Sequence, residues 1–384
     1  MAQTNYGGVQ ALVKILFLIP TLGHGGAERV LVNLVNRMDK TKFDITVQTL
    51  FDVGIYRDRL SPDIRYIGGY GNYFRGNSHV QKLLSPRKLY RYCIKEHYDI
   101  IVSYLEGMAC RVVSGCDDPD TKLVGWIHTE QCSRKGAARC FRTFGEASRC
   151  YRRFDSIFCV ADTVRRDFTG IFPDTTPVRV IYNTVESEAI LAGSREPVDD
   201  ISFDSGCCNI CSVAKLMKTK GYDRLVRIQR RLKDEGIATH IYIVGKGEEL
   251  SALQSMIKEN GLEDDWTFVG FRTNPYKYVA HSDLYVCSSR AEGYSTAVTE
   301  ALIVGTPVVS TDCSGAKELL GENNEYGIVT DNNEEALYAG IKRMITEEGL
   351  LEHYRKAAAE RGRRFSAQEN VRIAETALEE VLGE

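Results

Sequence analysis

The sequence predicts an α/β protein built from two doubly wound domains, and three observations support this. The chain has 384 residues, more than one hydrophobic core usually serves. Short apolar runs alternate with glycine-bearing turns and segments of helical periodicity, as in a parallel sheet with helices on both faces. This alternation starts near residue 14 and starts again near residue 209, after an acidic linker, 188–207, that contains glycine and proline.

The first series of elements begins with a strand at 14–19, whose continuous apolar run is typical of a buried parallel strand. A turn with Gly25 and Gly26 follows, and 27–38 has the periodicity of a helix. Glycines let a backbone approach a ligand closely, and the first amides of a helix can bind phosphate. Further strands are predicted at 44–51, 64–67, 100–105, 123–128, 156–161 and 178–182. We assign 1–187 to the first domain.

The second series predicts a second parallel sheet. Its strands are expected at 209–213, 240–244, 266–269, 284–287 and 308–310. Its main helices are expected at 222–234, 296–304 and 333–344. We assign 208–364 to the second domain and 365–384 to a C-terminal helix.

Candidate ligand-binding residues follow the strands at their carboxyl ends, where open parallel sheets bind ligands. His128 ends the strand at 123–128. Lys215 and Lys220 follow the first strand of the second domain, where two ammonium groups next to a helix start could neutralise a diphosphate.

Glu292 and Glu300 are the most informative pair of carboxylates. Eight residues of helix separate backbones by about 12 Å, which fits poorly with an acid and a base acting on one bond. They suit two acceptors for two hydroxyl-bearing parts of one elongated ligand, and the amides from Tyr294 to Thr296 could bind an anion between them. A sugar nucleotide has this layout.

The run from Glu292-Gly293 through Glu300 to Gly305-Thr306-Pro307 resembles the E-x7-E motif of retaining glycosyltransferases of the GT-B fold. The Gly25-Gly26 turn, His128 and the Lys215/Lys220 turn resemble other segments of the same family, in the same order along the chain. The resemblance implies two Rossmann-like domains facing a central cleft and a C-terminal helix that crosses back to the first domain. This chain has Lys215 where relatives commonly have arginine, which keeps the charge and loses the bidentate fork. It also has Ser295 where relatives often have glycine.

The resemblance also implies roles. Lys215 and Lys220 would stabilise charge on the departing diphosphate, His128 and Glu292 would hold the sugar, and Glu300 would bind the ribose. The remaining donor-binding residues implied are Gly25, Gly26, Gly245, Gly247, Phe271, Arg272, Gly293, Tyr294, Ser295 and Thr296. The implied function is a retaining, metal-independent transfer of a hexosyl group, from a nucleotide sugar that we expect to be UDP-linked, to a glycan or lipid-linked glycan in cell-surface polysaccharide biosynthesis.

Other functions stay open at this point. A GT-B-like epimerase or phosphorylase would isomerise or release the sugar without an acceptor. An NAD-dependent oxidoreductase is disfavoured because the glycine turn is not a complete G-x-G-x-x-G fingerprint. A catalytically silent subunit would bind a sugar nucleotide without transferring the sugar.

Composition narrows the class of protein. Residues 1–187 carry 26 Lys and Arg against 19 Asp and Glu, whereas 188–384 carry 23 against 33, so the first half faces something anionic. No window approaches 18 apolar residues and no secretion signal opens the chain, so we expect a cytoplasmic protein. The scattered cysteines do not predict a metal site, and no cofactor or nucleic acid is expected.

The stretch 133–166 is rich in arginine, with aromatic residues interleaved at helical spacing. This pattern predicts a basic amphipathic helix that contacts an anionic lipid or a lipid-diphosphate acceptor at the inner face of the cytoplasmic membrane. Its candidate contact residues are Arg149, Arg152 and Arg153.

Overall fold

A computed structural model describes residues 12–23, 25–70, 82–174, 177–313 and 315–383. The chain divides into two compact units. The first contains Met1–Val160, Arg165–Thr184 and Gln368–Glu384, and the second contains Ala161–Val164 and Val185–Ala367. The N-terminal stretch 1–11, where a secretion signal would begin, lies outside the described residues.

The first unit is built on a parallel sheet with the strand order β3-β2-β1-β4-β5-β6-β7. Its strands are β1 (Val13–Ile19), β2 (Phe43–Thr49), β3 (Arg65–Ile67), β4 (Ile100–Tyr104), β5 (Lys122–Ile127), β6 (Ser156–Cys159) and β7 (Val178–Val180). The order changes direction beside β1, which is the switch point at which doubly wound sheets bind ligands. The continuous apolar runs of β1 and β4 are buried on both faces, as the sequence predicts.

Helices cover this sheet. Those wholly or mostly in the first unit are α1 (Gly26–Arg37), α2 (Pro86–Cys93), α3 (Met108–Val113), α4 (Arg134–Ala137), α5 (Phe144–Tyr151) and α6 (Asp162–Ile171). The apolar residues whose helical spacing predicted α1 are buried, among them Val30, Leu31 and Leu34.

The prediction of a single basic amphipathic helix at 133–166 is wrong. The segment forms α4, α5, the strand β6 and the start of α6. The side chains of Ser133 and Thr143 cap two separate helix starts, so the stretch cannot continue as one helix.

The aromatic residues of that stretch serve the core rather than a lipid surface. Phe141, Tyr151 and Phe154 are at most 1% exposed, and the Tyr151 ring packs 5.1 Å from Phe168 and 4.7 Å from Phe172, between centroids. The three arginines named as membrane contacts, Arg149, Arg152 and Arg153, are exposed. Within the described residues, no helix combines the length and apolar character that crossing a bilayer requires.

The second unit repeats the architecture, with the strand order β10-β9-β8-β11-β12-β13 and parallel neighbours. Its strands are β8 (Cys208–Val213), β9 (Thr239–Val244), β10 (Trp266–Gly270), β11 (Leu284–Cys287), β12 (Val308–Thr311) and β13 (Ile328–Thr330). The sequence analysis does not predict β13. Here the order changes direction beside β8, so the loops after β8 and β11 meet at the switch point.

The helices of the second unit flank this sheet. They are α7 (Ser187–Ser194), α8 (Tyr222–Asp234), α9 (Leu250–Glu259), α10 (Tyr276–Ala280), α11 (Thr296–Ile303), α12 (Ala316–Leu320), α13 (Glu334–Thr346) and α14 (Leu350–Gly362). The helix α7 lies within the stretch assigned as a linker except for its first residue, and its Ile190 packs with Val185 and Ile303 in a small apolar cluster.

The last helix, α15 (Ala367–Leu382), belongs mostly to the first unit. Glu375 accepts a hydrogen bond from the backbone N–H of Asp39 (2.6 Å), and Glu379 pairs with Lys42 (2.8 Å). Asn370 donates to the carbonyl of Asn183 (3.0 Å). These contacts tie the end of the chain to elements near its start.

Candidate functional site

Two loops at the carboxyl end of the second sheet meet at an ion pair. The loop 214–221 follows β8, and the loop 288–295 follows its neighbour β11. Lys220 Nζ lies 2.6 Å from Glu292 Oε1, and the side chains are 20% and 15% exposed. The structure therefore brings together two residues that the sequence singled out separately.

The environment of this pair keeps Lys220 charged. Burial lowers the pKa of Lys220, but the charge of Glu292 and its hydrogen bond outweigh burial and raise the pKa above its ordinary value. Ser289 Oγ also donates to Glu292 Oε1 (2.7 Å), so both donors bind the same carboxylate oxygen. A cation and an anion thus lie side by side at the switch point.

Gly221 allows the two loops to approach this closely. Its φ is +69°, and an added Cβ would lie 2.1 Å from the carbonyl oxygen of Ser288. Ser288 Oγ in turn donates to the carbonyl of Lys220 (2.8 Å). A side chain at position 221 would have to push the loops apart.

The stretch after Glu292 leads into α11. Ser295 is the N-cap of this helix, and its Oγ accepts a hydrogen bond from the N–H of Val298 (3.3 Å). Thr296 is the first helical residue, and Glu300 is 4% exposed. Gly293 and Tyr294 pack against the next loop, since a Cβ on Gly315 would lie 2.8 Å from the Tyr294 ring.

Lys215 differs from Lys220 in its surroundings. It is exposed in the same loop, and within the described part of the chain it has no hydrogen bond or ion pair. Its ammonium group is free to bind an anionic ligand.

Gly245 and Gly247 lie in the turn after β9 and press against the loop that follows β8. A Cβ on Gly245 would lie 1.9 Å from the carbonyl oxygen of Ala214, and one on Gly247 would lie 2.2 Å from that of Leu216. Both glycines are therefore explained by backbone contact between loops.

Phe271 and Arg272 follow β10. Lys246 Nζ lies 5.3 Å from the centroid of the Phe271 ring. The Arg272 guanidinium donates to Asp200 (2.9 and 3.1 Å) and to the hydroxyl of Tyr278 (3.2 Å). The Arg272 side chain is thus engaged by Asp200 and Tyr278, and its Nη1 also donates to the carbonyl of Phe271 (3.2 Å).

In the first unit, the glycine turn after β1 carries a carboxylate. Gly25 is the N-cap of α1 and Gly26 its first residue, and a Cβ on Gly25 would lie 1.9 Å from Glu28 Oε2. Because a carboxylate repels a diphosphate, this turn suits a hydroxyl-bearing group better than an anion.

His128 lies directly after β5 and is 5% exposed. Its ring lies 4.6 Å from that of Tyr104, and Nε2 has no hydrogen-bond partner among the described residues. Burial lowers the pKa of His128 to about 3, so the imidazole is neutral at physiological pH. A buried, neutral ring nitrogen of this kind can hydrogen-bond an uncharged hydroxyl.

Glu106 holds His128, and the sequence reasoning missed it. Its Oε2 accepts a hydrogen bond from the backbone N–H of His128 (2.9 Å), and Oε1 accepts one from the Thr129 hydroxyl. The preceding Leu105 has φ +116°, a conformation that costs a residue with a side chain free energy and that is enriched at functional sites. An acidic residue between a strand and a glycine was the available signal.

Burial of His128 predicts a pH-dependent stability. Between pH 6.5 and pH 3 the unfolded chain binds a proton that the native ring does not, so stability is present above pH 6.5 and is lost as the pH falls. From pH 7 to pH 5 the free energy of unfolding should fall by about 2 kcal/mol more in the natural chain than in His128→Phe. Urea titrations at both pH values measure this fall, and His353→Phe, at an exposed histidine, is the control. An equal fall in the free energy of unfolding in the natural chain and in His128→Phe would refute the prediction.

Two family models match the chain. The model described as Glycosyltransferase Family 4 matches residues 24–189, and the model described as Glycosyl transferases group 1 matches residues 202–361. The chain belongs to the group 1 glycosyltransferases. Lys220 and Glu292 of this glycosyltransferase lie in the region matched by the second model, and His128 lies in the region matched by the first.

Curated relatives are similar in sequence to part or most of this glycosyltransferase. The N-acetylgalactosamine-N,N'-diacetylbacillosaminyl-diphospho-undecaprenol 4-alpha-N-acetylgalactosaminyltransferase of Campylobacter jejuni is 34% identical over 53% of each chain. The chain thus spans about half the length of that relative. The lipopolysaccharide core biosynthesis glycosyltransferase LpsE of Rhizobium meliloti is 23% identical over 88% of this chain and 89% of its own.

Among solved structures, Anabaena HepE in complex with UDP and glucose has the same fold. The TM-score is 0.75 at 21% identity, over 95% of this glycosyltransferase and 99% of that chain. The two Rossmann-like parallel sheets predicted from the sequence are therefore confirmed. The boundaries of the domains, the roles of the site residues and the membrane contact stay predictions.

Proposed function

We propose that this glycosyltransferase moves a hexosyl group from a UDP-sugar to a lipid-linked glycan during assembly of a cell-surface polysaccharide, with retention of the anomeric configuration and without a metal ion. The observation that carries the proposal is the Lys220–Glu292 pair at the switch point of the second sheet. It combines a cation suited to a pyrophosphate with a carboxylate suited to sugar hydroxyls.

The relatives support the proposed substrates. The Campylobacter relative is named as a transferase whose substrate carries a diphospho-undecaprenol group. The Anabaena protein was solved with UDP and glucose. A UDP-linked donor and a lipid-linked acceptor follow for this chain as part of the proposal.

Lys220 is proposed to stabilise the negative charge that develops on the departing diphosphate. A cation held in place at a site with little water interacts strongly with such charge. Lys215, which is exposed, would supply a second cation in the same loop. Glu300, on α11 beyond Glu292, is proposed to accept hydrogen bonds from the ribose. These groups would do the work that a divalent cation does in other transferases.

Glu292 is proposed to bind sugar hydroxyls rather than to attack the anomeric carbon. Its Oε1 already accepts from Lys220 (2.6 Å) and Ser289 (2.7 Å), which makes it a poor nucleophile. We therefore propose front-face substitution: the bond from the anomeric carbon to the diphosphate oxygen breaks, the acceptor oxygen bonds on the same face, and the departing phosphate takes the acceptor's proton. His128, neutral and buried, would hydrogen-bond a hydroxyl of the transferred sugar.

The experiment that tests this proposal starts with a panel of UDP- and GDP-sugars, scored by thermal shift. We expect a UDP-hexose to raise the melting temperature more than its GDP counterpart. The stabilising donor is then incubated with a diphospho-undecaprenol-linked glycan in the presence of EDTA, and the anomeric configuration of the product is read by NMR.

Each alternative gives a different product. Retained configuration with EDTA present supports the proposal, and inverted configuration or dependence on a metal ion overturns that part of it. An isomerised sugar nucleotide would indicate an epimerase. Stabilisation by a donor that no acceptor consumes would indicate a catalytically silent subunit, and no stabilisation by any donor would overturn the proposal as a whole.

A further inference from the structure

Arg290 links the loop that carries Lys220 to the loop that carries Glu292. Its backbone N–H donates to the carbonyl of Thr219 (2.7 Å), and its Nη1 donates to the carbonyl of Lys218 (2.8 Å). Thr219 directly precedes Lys220, and Arg290 lies two residues before Glu292. These two bonds therefore join the loop that carries the cation to the loop that carries the carboxylate.

Asp223 fixes the other side of the guanidinium. Arg290 Nη1 and Nη2 each lie 2.7 Å from an oxygen of this carboxylate, in a bidentate pair. Asp223 lies in the first turn of α8 and also accepts from Arg227 (3.0 Å). Hydrogen bonds from Arg290 lower the pKa of Asp223 to about 2, so this anchor stays ionised at every physiological pH.

The geometry requires arginine. A guanidinium can bind two carboxylate oxygens in its plane and still donate to a carbonyl, whereas a lysine ammonium is a point charge on a flexible stem. The carbonyl of Arg290 also accepts from Asn332 Nδ2 (3.0 Å), and Asn332 accepts from Arg224 (2.7 Å). Arg290 is thus bonded both to α8, through Asp223, and to the loop after β13, through Asn332.

We infer that Arg290 is a positioning residue for the transfer reaction, because it holds the loop that carries Lys220 against the loop that carries Glu292. The inference rests on the proposed function. Arg290 acts through Lys220 and Glu292, and loss of its fork would let the short turn 218–220 relax away from the loop 288–292. A shift of about 1 Å at such a site costs about 100-fold in rate.

The test uses Arg290→Lys, which keeps the charge and removes the fork. We expect kcat, measured with the donor and acceptor that the panel of sugar nucleotides selects, to fall by about 10- to 100-fold. The matched control is Arg231→Gln, which breaks the exposed pair (2.6 Å) between Arg231 of α8, the helix that carries Asp223, and Glu335 of α13. The control should keep kcat within about 2-fold, since exposed pairs contribute little.

A cycle with Lys220→Gln separates positioning from general destabilisation. If Arg290 acts through Lys220, Arg290→Lys should lower kcat little further in the Lys220→Gln background. Losses that multiply in the double variant, or an unchanged kcat in Arg290→Lys alone, would overturn the inference.

A readout that needs no sugar donor distinguishes failure of this inference from failure of the proposed function. Reductive methylation followed by mass spectrometry measures how readily the Lys220 amine reacts. We expect at least about 3-fold faster labelling of Lys220 in Arg290→Lys, with labelling of exposed Lys215 unchanged, because a looser ion pair frees the amine. Unchanged Lys220 labelling would overturn the inference, whereas failure of the natural chain to bind UDP would overturn the proposed function instead.

Discussion

Replacing Lys220 by glutamine is expected to lower kcat about 100- to 1,000-fold, the range typical for removing one group that stabilises developing negative charge. The amide keeps much of the length of the side chain but cannot neutralise a diphosphate. UDP should also bind more weakly, because the same cation contacts the product. Steady-state kinetics and calorimetric titration with UDP measure the two effects.

The control for this variant is Lys215→Gln, in the same loop. Lys215 is exposed and lacks the carboxylate partner that Lys220 has, so we expect a smaller loss of kcat than for Lys220→Gln. Equal losses for the two variants would mean that the ion pair with Glu292 does not single out Lys220. An unchanged kcat in Lys220→Gln would contradict the assigned role.

Replacing Glu292 by glutamine is expected to have opposite effects on turnover and on product binding. Turnover should fall about 100-fold, because the carboxylate that accepts hydrogen bonds from the sugar is lost. UDP should bind about 10-fold more tightly, since Lys220 no longer has to leave a carboxylate 2.6 Å away before it contacts the diphosphate. Calorimetric titration should therefore show a higher Kd for UDP in Lys220→Gln and a lower Kd in Glu292→Gln than in the natural chain.

Opposite changes in UDP affinity in the two variants would show that Glu292 and the diphosphate compete for Lys220. The control Glu335→Gln removes an exposed carboxylate paired with Arg231 and should leave UDP affinity unchanged. If Glu292→Gln weakens UDP binding as Lys220→Gln does, then the two side chains do not compete, and Glu292 instead supports the loop that Lys220 occupies.

Every strand of the two sheets except β13 was readable from the sequence, because a parallel strand buried on two faces leaves a continuous apolar run, as in 14–19 and 284–287. The loops after such strands could therefore be named as ligand sites. The stretch 133–166 misled the prediction because its aromatic spacing is helical by coincidence. Phe141, Tyr151 and Phe154 come from different elements and meet only in the core.

The pairing of Lys220 with Glu292 could not be read from the sequence, since the residues are 72 positions apart and nothing local records their distance. The same holds for Arg290, which looks like an ordinary surface arginine until Asp223 and the carbonyl of Lys218 are brought to it. It holds also for Glu106, whose role depends on β4 lying beside β5.

The amino-acid sequence by itself determined the two parallel α/β sheets and the strand ends at which ligand-binding groups collect, because hydrophobic periodicity and glycine placement are local properties of the chain. The tertiary structure alone decided which of those groups meet and in what protonation state. Contact distances and burial depend on strand order, which brings β8 beside β11 and so sets the charge of Lys220 against that of Glu292.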